Sequence, residues 1–417
     1  MAGAEGRTLA DVRQGILIIA REHSLLEGSS FNYINHFRAE LISIRLVNVK
    51  RFTQTMGSGI ASILEKKVLD RSDILAMLHT SEEEAPLLYR RAAAVRDRYV
   101  GNHVYLRGLI EYSNICGKNC LYCGVRRDNV KIERYTMSRE EVLEAALTAF
   151  RLNLGSIAIQ SGENSSKVFV DTIEELVTTI RQLTDGKLGI TLSLGEQSRE
   201  TYKRWFDAGA HRYLLRIEAS SEALYRRVHP NDDMHRYYRR LECLKAIQET
   251  GYQTGTGVMV GLPFQTMGDL ADDIIFMRDF NIDMCGMGPF IEHSDTPLGK
   301  RGIDNLFLNE RFNLTLRMIA ILRIIMKDIN IVASTAMQTI DPAGREKAIS
   351  CGANVVMPNL TPARYRSGYL IYEGKPGYRE ADESNVSGLN LDLIPDVIIG
   401  LGSWGDTPHF ARRISLH

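Results

Sequence analysis

From about residue 104 onward, short apolar runs rich in β-branched and aromatic residues alternate with longer amphipathic stretches. Eight runs have strand character: "HVYLRGLIEY" (103–112), "GSIAIQSG" (155–162), "LGITLSLG" (188–195), "RYLLRIEA" (212–219), "QTGTGVMVG" (253–261), "DMCGMGPF" (283–290), "NIVASTA" (330–336) and "NVVMPN" (354–359). The segments between them have helix length. In "SREEVLEAALTAFRLN" (138–153), Ser138 and Glu141 stand at capping-box spacing and mark a helix start.

Eight strands separated by helices predict an α/β chain folded as a closed (β/α)8 TIM-type barrel over residues 103–372, with an open doubly wound sheet as the alternative. Residues 56–102 read as a helical segment before the barrel, with "ASILEKKVLDRSDILAML" and "EEEAPLLYRRAAAVRDRYV" as its helices. Residues 1–55 form an N-terminal extension in which "LISIRLVNVKRFTQ" lacks helical periodicity. Met56 is itself a plausible start, so this extension is expected to be lineage-specific or to follow from a misplaced start codon, which the mass of the native N-terminus decides. Residues 373–417 form a short C-terminal extension: a polar, glycine-rich loop, then "LDLIPDVIIGLG" (391–402), expected to pack back on the barrel.

The barrel places chemistry at the C-terminal ends of its strands. There the chain carries Cys116 to Cys123, "QSGE", "SLGE", "RIEAS", "GLP" and "STAM". Each alone has a plainer reading, because turns after strands favour glycine and serine.

The 417 residues contain 51 Lys plus Arg and 51 Asp plus Glu, so no basic surplus advertises a nucleic-acid partner. No apolar run reaches the roughly 18 residues of a membrane span, and the opening residues lack a secretory layout. A cytoplasmic protein is the expectation. Six cysteines in so long a chain do not make a disulfide framework, and Cys243, Cys285 and Cys351 read as small buried hydrophobes.

The other three stand together in "NICGKNCLYCGVRRDN" (114–129) as Cys116, Cys120 and Cys123, a CxxxCxxC spacing. Thiolates ligate iron-sulfur clusters and structural zinc. A zinc site wants four closed ligands and would have to recruit Cys243, Cys285 or a histidine. A redox CxxC made of Cys120 and Cys123 is a further alternative. Three cysteines on a cubane leave one iron open to an exogenous molecule.

This motif, on a loop after a first barrel strand, resembles that of the radical S-adenosylmethionine (SAM) superfamily. The resemblance implies a 4Fe-4S cluster on Cys116, Cys120 and Cys123 whose open iron is chelated by SAM. Electron transfer to the sulfonium then yields a 5′-deoxyadenosyl radical. It also implies that Tyr122 lies against adenine and that Ser161, Gly162 and Glu163 form the edge that bonds the SAM amine, with serine where the superfamily has a first glycine.

Longer strings, "SLGE", "RYLLRIEA", "MVGLPFQT", "GPFIEHSDTPL", "STAM" and "CGANVVMPNLTP", resemble the HydE family of FeFe-hydrogenase maturases, which is biotin-synthase-like, from about Met56 to Tyr372. Methylornithine synthases share the scaffold and supply the competing reading, an amino acid or other small anionic substrate. The family resemblance implies SAM contacts from Ser193, Glu218 and Arg240, with Gln160 and Met259 also on the cofactor side. It implies an inner cavity lined by Gln160, Thr191, Arg212, Arg216, Met284, Ser334, Thr335 and Tyr369, with Thr335 and Tyr369 close to the reaction. Arginines pointing into a barrel need an anion. That anion would be substrate, or a buried partner such as Glu218 or Glu196. The implied substrate is an iron species bearing cysteine, carbon monoxide and cyanide. The implied partners are a reductant such as ferredoxin or flavodoxin and the companion hydrogenase maturases. Family members carrying a second cluster use three further C-terminal cysteines; "GKPGYREADESNVSGLN" has none, so one 4Fe-4S cluster is expected.

Overall fold

The computed structural model describes residues 59–301, 306–376 and 387–415. The chain divides into two units, 1–59 and 60–417, and every described residue except Gly59 belongs to the second. The expectations for residues 1–55 and for most of the polar loop after 376 lie outside the described residues.

Helices at Ile60–Leu64, Arg71–Leu78 and Ala85–Tyr99 precede the barrel. The strands follow as β1 (His103–Ser113), β2 (Ser156–Ser161), β3 (Gly189–Ser193), β4 (Arg212–Leu214), β5 (Gln253–Thr256), β6 (Met259–Val260), β7 (Met284–Cys285), β8 (Gly288–Pro289), β9 (Asn330–Ile331), β10 (Val355–Val356) and β11 (Ile398–Gly400). All pair in parallel, eight of them in the order β10, β1, β2, β3, β4, β5, β7, β9. The Asn354 N–H donates to Ile331 O and the Ala333 N–H to Val355 O, both at 2.9 Å, and these bonds join β9 to β10. The ring is therefore closed. The runs read as single strands at 253–261 and 283–290 are each split in two, and β6 pairs only with β8.

Strand periodicity separates two environments. On one face of β1 to β3, Leu106, Ile110, Ile157, Ile159, Ile190 and Leu192 join the core against the helices. On the other face, Leu109, Glu111, Gln160 and Ser193 line a cavity inside the barrel. Successive strand residues point to opposite sides, so each strand serves both. The helices answer with amphipathic faces. Arg139–Arg151 begins at the Ser138 and Glu141 capping box and buries Val142, Ala145, Ala146 and Ala149. Lys167–Leu183, capped by Ser166, buries Val170, Ile173, Val177 and Ile180 at three- and four-residue spacing.

The C-terminal extension packs back as expected, and it does so as a strand. β11 extends the sheet beside the start of β1, with His103 opposite Ile398 and Tyr105 opposite Gly400. Beyond it, Asn330 Nδ2 donates to Gly405 O at 2.7 Å, and the Trp404 ring lies 4.3 Å from that of His211. Residues 398–407 thus cover the N-terminal ends of the strands and leave the opposite mouth for chemistry. No helix among the described residues is long and apolar enough to cross a membrane.

Candidate active site

After β1 the chain enters the loop that carries the three cysteines, and buried polar groups hold its course. Asn114, fully buried, donates through Nδ2 to Glu133 O and Gly368 O at 2.7 Å and accepts the Tyr135 N–H at 2.8 Å. Arg134 spans the loop, donating to the carbonyls of Asn114, Val125, Arg126 and Asn129 over 2.6–3.1 Å. It also reaches the Arg127 carbonyl at 3.2 Å; a guanidinium offers its donors in a fixed fork, so one side chain sets five backbone positions.

Cys116, Cys120 and Cys123 line a cavity of about 330 Å³ at the C-terminal ends of the strands. Burial pushes all three thiols upward, Cys120 to about 12. The three are close enough that Cys116 adds to the shift of Cys120, and both add to that of Cys123. As thiolates they would place three negative charges in one buried place, an arrangement that calls for a cationic partner.

The second strand meets this loop edge to edge. The Gly117 N–H donates to Glu163 O at 2.7 Å, and the Glu163 N–H donates to Cys116 Sγ at 3.3 Å. Gly162 permits that approach: a Cβ there would fall 2.7 Å from the Ile115 carbonyl carbon and 2.8 Å from Cys116 Cβ. Glu196, after β3, bonds Arg240 and Lys118 with its two oxygens. Burial opposes charge on Glu196, but Arg240 and Lys118 outweigh it and hold the carboxyl below its ordinary range. Glu163 is shifted the other way, chiefly by burial.

Tyr122, beside Cys123, packs edge-on against His229 with ring centroids 5.3 Å apart. His229 Nδ1 lies 2.9 Å from Tyr225 O, which can only accept, and burial holds the imidazole neutral. Nε2 therefore accepts from the Tyr122 hydroxyl at 3.2 Å. Glu218, after β4, has a left-handed backbone with φ of 67°. Its carboxylate accepts Arg216 Nε at 3.1 Å, while Arg216 Nη2 donates to Val258 O at 2.9 Å. Non-glycine residues held in this region concentrate at functional sites.

Residues 110–277 match the radical SAM superfamily. The FeFe hydrogenase maturase subunit HydE of Thermotoga maritima is 47% identical over 325 residues, 76% of this chain and 88% of that protein. The chain belongs to the HydE family of radical SAM enzymes. A 3-methylornithine synthase of Methanosarcina acetivorans is 28% identical, over 83% of this chain and 96% of its own. The crystal structure of methylornithine synthase (PylB) shares the fold, with a TM-score of 0.69 at 23% identity over 83% of this chain and 98% of that one. The protein is thus a radical SAM enzyme of hydrogenase maturation.

HydE membership implies a 4Fe-4S cluster and SAM, and the donor set fits. Three neighbouring thiols are the ligands such a cluster takes. Among the described residues no group of three His, Cys, Asp or Glu closes around a single metal ion. A cubane distributes its ligands over separate irons and needs no such closure. Cys243, Cys285 and Cys351 are buried elsewhere, as expected of small hydrophobes.

Most residues singled out in the sequence converge here. Tyr122, Gln160, Ser161, Gly162, Glu163, Ser193, Arg216, Glu218, Arg240, Met259, Ser334, Thr335 and Tyr369 line the cavity with the three cysteines. Thr191, Arg212 and Met284 do not, and for Arg212 the structure gives a different role. It is fully buried and bonds Gln253 Oε1 at 2.8 Å, together with Asp406 and the Trp404 carbonyl on the barrel floor. Its anion is a carboxylate of the C-terminal extension, neither Glu218 nor Glu196. Thr191 is the strand partner of Arg212, and Met284 Sδ lies 3.4 Å from Arg107 Nη1, both deeper in the barrel.

Three residues of the mouth escaped the sequence reading. Glu111 and Lys375 pair inside the cavity, with the ammonium 4.9 Å from the centroid of the Tyr369 ring. The third is Lys118, within the cysteine motif itself. A lone charge in the apolar run "LIEY" was the available signal for Glu111; nothing local marks Lys375.

Proposed function

We propose that Cys116, Cys120 and Cys123 ligate a single 4Fe-4S cluster and that the cavity beside them holds SAM and a small anionic substrate. The observation that carries this reading is the convergence of the three thiols, the Gly162–Glu163 edge and Arg240 on one cavity. When bound and reduced, the cluster would supply one electron to the sulfonium of SAM, whose carbon–sulfur cleavage would leave methionine and a 5′-deoxyadenosyl radical.

The chain's own residues orient and exclude. Arg240 donates Nε to Glu196 and Nη1 to Arg216 O, and its Nη2 bonds none of the described residues. That nitrogen is free for the SAM carboxylate, a charge-assisted bond. The Ser161–Gly162 edge offers backbone to the amine, Tyr122 its ring to adenine, and Ser193 and Glu218 acceptors to ribose. Ser334, Thr335, Gln160 and Tyr369 face the remaining space. Apolar cavity walls such as Leu109, Met259 and Val332 keep water from a reactive radical.

An anionic substrate is supported by cations on the cavity side of the barrel. Arg216 lines the cavity, though Glu218 already balances its charge. Arg107, two residues before Leu109 on the same face of β1, is 2% exposed, and its Nε and Nη2 find no partner among the described residues. The substrate proposed for the family reading is an iron species bearing cysteine, carbon monoxide and cyanide, met with a one-electron reductant of the ferredoxin or flavodoxin kind.

The test is electron paramagnetic resonance of anaerobically reconstituted, reduced protein with and without SAM, followed by assay of 5′-deoxyadenosine. A cubane signal perturbed by SAM, with nucleoside formed and both lost in Cys120→Ala, is expected. Bound zinc, or a cluster indifferent to SAM, would sink the reading.

A further inference from the structure

Lys118 is 4% exposed, unusual for a lysine, and stands between two cysteines of the motif. Its Nζ lies 2.9 Å from Glu196 Oε2 and 3.2 Å from Glu163 Oε1, and it also donates to Met234 O. Three protons thus meet three acceptors. Glu196 turns its other oxygen to Arg240 Nε at 2.6 Å, and its N–H donates to Glu163 Oε2 at 2.9 Å. The result is an alternating buried row, Glu163, Lys118, Glu196, Arg240, with two charges of each sign. It joins the cysteine loop, the ends of β2 and β3, and the Tyr237–Thr250 helix that carries Arg240.

Such a row is sensitive to losing one member, because the remaining charges stay buried and uncompensated. Without Lys118, two carboxylates would share one cation. Arg240 would be drawn wholly to them, beside the place where an anion must bind. Glu163 would keep the Glu196 N–H on one carboxylate oxygen but lose the Lys118 ammonium on the other, while its own N–H bonds Cys116 Sγ.

We infer that Lys118 is a positioning residue for SAM: by balancing Glu163 and Glu196 it leaves Arg240 Nη2 directed at the SAM carboxylate. This rests on the reading of the SAM site given above. Lys118 itself need not touch SAM; it acts through Glu196 and Arg240.

The test compares wild type, Lys118→Met and the charge-balanced double variant Lys118→Met/Glu163→Gln as full-length, anaerobically reconstituted proteins. Iron per chain, the SAM dissociation constant by equilibrium dialysis and the cluster midpoint potential are measured on each. Lys118→Met is expected to bind SAM about tenfold or more weakly, equivalent to about 1.4 kcal/mol. The double variant is expected to recover most of that loss, because it again has equal charges of each sign. Should Lys118→Met fail to hold iron, recovery of both iron and SAM binding in the double variant carries the same conclusion. A residue that merely ties the loop together predicts no recovery, since the double variant restores charge balance and not the tether. Wild-type affinity in Lys118→Met, or a double variant no better than the single, overturns the inference while SAM binding to wild type stands. Absence of SAM binding to wild type overturns both the inference and the site reading beneath it.

Discussion

The backbone N–H of Glu163 donates to the sulfur of Cys116 at 3.3 Å. Two segments 47 residues apart therefore meet at the atom proposed to hold iron, and hydrogen bonds to such sulfurs help set cluster potential. The contact depends on the absence of a side chain at Gly162, where a Cβ would crowd Ile115 and Cys116. Gly162→Ala should push the β2 edge away, with a stability loss of about 1–3 kcal/mol from overpacking. Reconstituted Gly162→Ala is expected to carry less iron than wild type, with a shifted midpoint potential in the fraction that loads. Wild-type iron content and potential would show that the edge does not govern the cluster.

Gly195, after β3, makes room for the side chain of Glu163 as Gly162 does for the backbone. Its φ is +76°, and a Cβ there would run into the Glu163 side chain. Gly195→Ala should therefore displace the Glu163 carboxylate from Lys118 and weaken SAM binding severalfold, measured by equilibrium dialysis. Unchanged affinity would mean that the carboxylate's position is immaterial to the site.

Glu218 holds a left-handed backbone at φ of 67°, a conformation that costs an L-residue roughly 1–2 kcal/mol. Glycine ordinarily destabilises by about 0.4–1 kcal/mol relative to alanine through the unfolded chain. At this position the strain should cancel that penalty, so Glu218→Gly is expected to be at least as stable as Glu218→Ala in urea. Both lose the carboxylate equally, so the comparison isolates the backbone. A clear advantage for alanine would show that the strain is absent.

Much of the barrel was legible because its strands alternate between a helix-facing apolar side and an inner side, as Ile157, Ile159 and Gln160 do. The cysteine loop was legible because its chemistry is local in sequence. β11 was not, being three residues long and stabilised by pairing with β1 almost 300 positions earlier. Arg212 was misplaced for a geometric reason: it opens β4, at the end of the barrel opposite the mouth, whereas Arg216 lies beyond that strand's C-terminal end. The Glu111 and Lys375 pair, 264 positions apart, has no local signature.

The floor contact gives a prediction that separates fold from function. Arg212 is fully buried and its carboxylate partner, Asp406, is half exposed. Asp406→Ala leaves the guanidinium with only neutral partners, and breaking a buried pair costs about 3–5 kcal/mol, less here because solvent reaches Asp406. A drop in urea stability of about 2 kcal/mol is expected, with SAM affinity unchanged because neither residue lines the cavity. Weakened SAM binding at wild-type stability would return Arg212 to the active site.

Asp273 should make stability depend on pH. It is 1% exposed; its Oδ1 accepts the Ser220 N–H at 2.7 Å, and its Oδ2 has no partner among the described residues. Burial pushes its carboxyl up from 3.8 to about 7, with Asp269 and Asp272 on the same helix adding to the shift. The folded state thus binds the proton more tightly than the unfolded chain does. The stabilisation is fully present below the unfolded value of 3.8, declines as pH rises, and is gone above about 7. Urea titrations of wild type and Asp273→Asn between about pH 5.5 and 8 measure this directly. Wild type should lose stability relative to the variant up to about pH 7, and the two curves should then run parallel. Because Ser220 lies two residues beyond Glu218, the same titration followed by SAM binding reports whether the loop carrying that carboxylate loosens as Asp273 ionises. Parallel stability curves across the whole range would mean that Asp273 is already ionised in the folded protein, and that its burial is compensated by groups other than the Ser220 N–H.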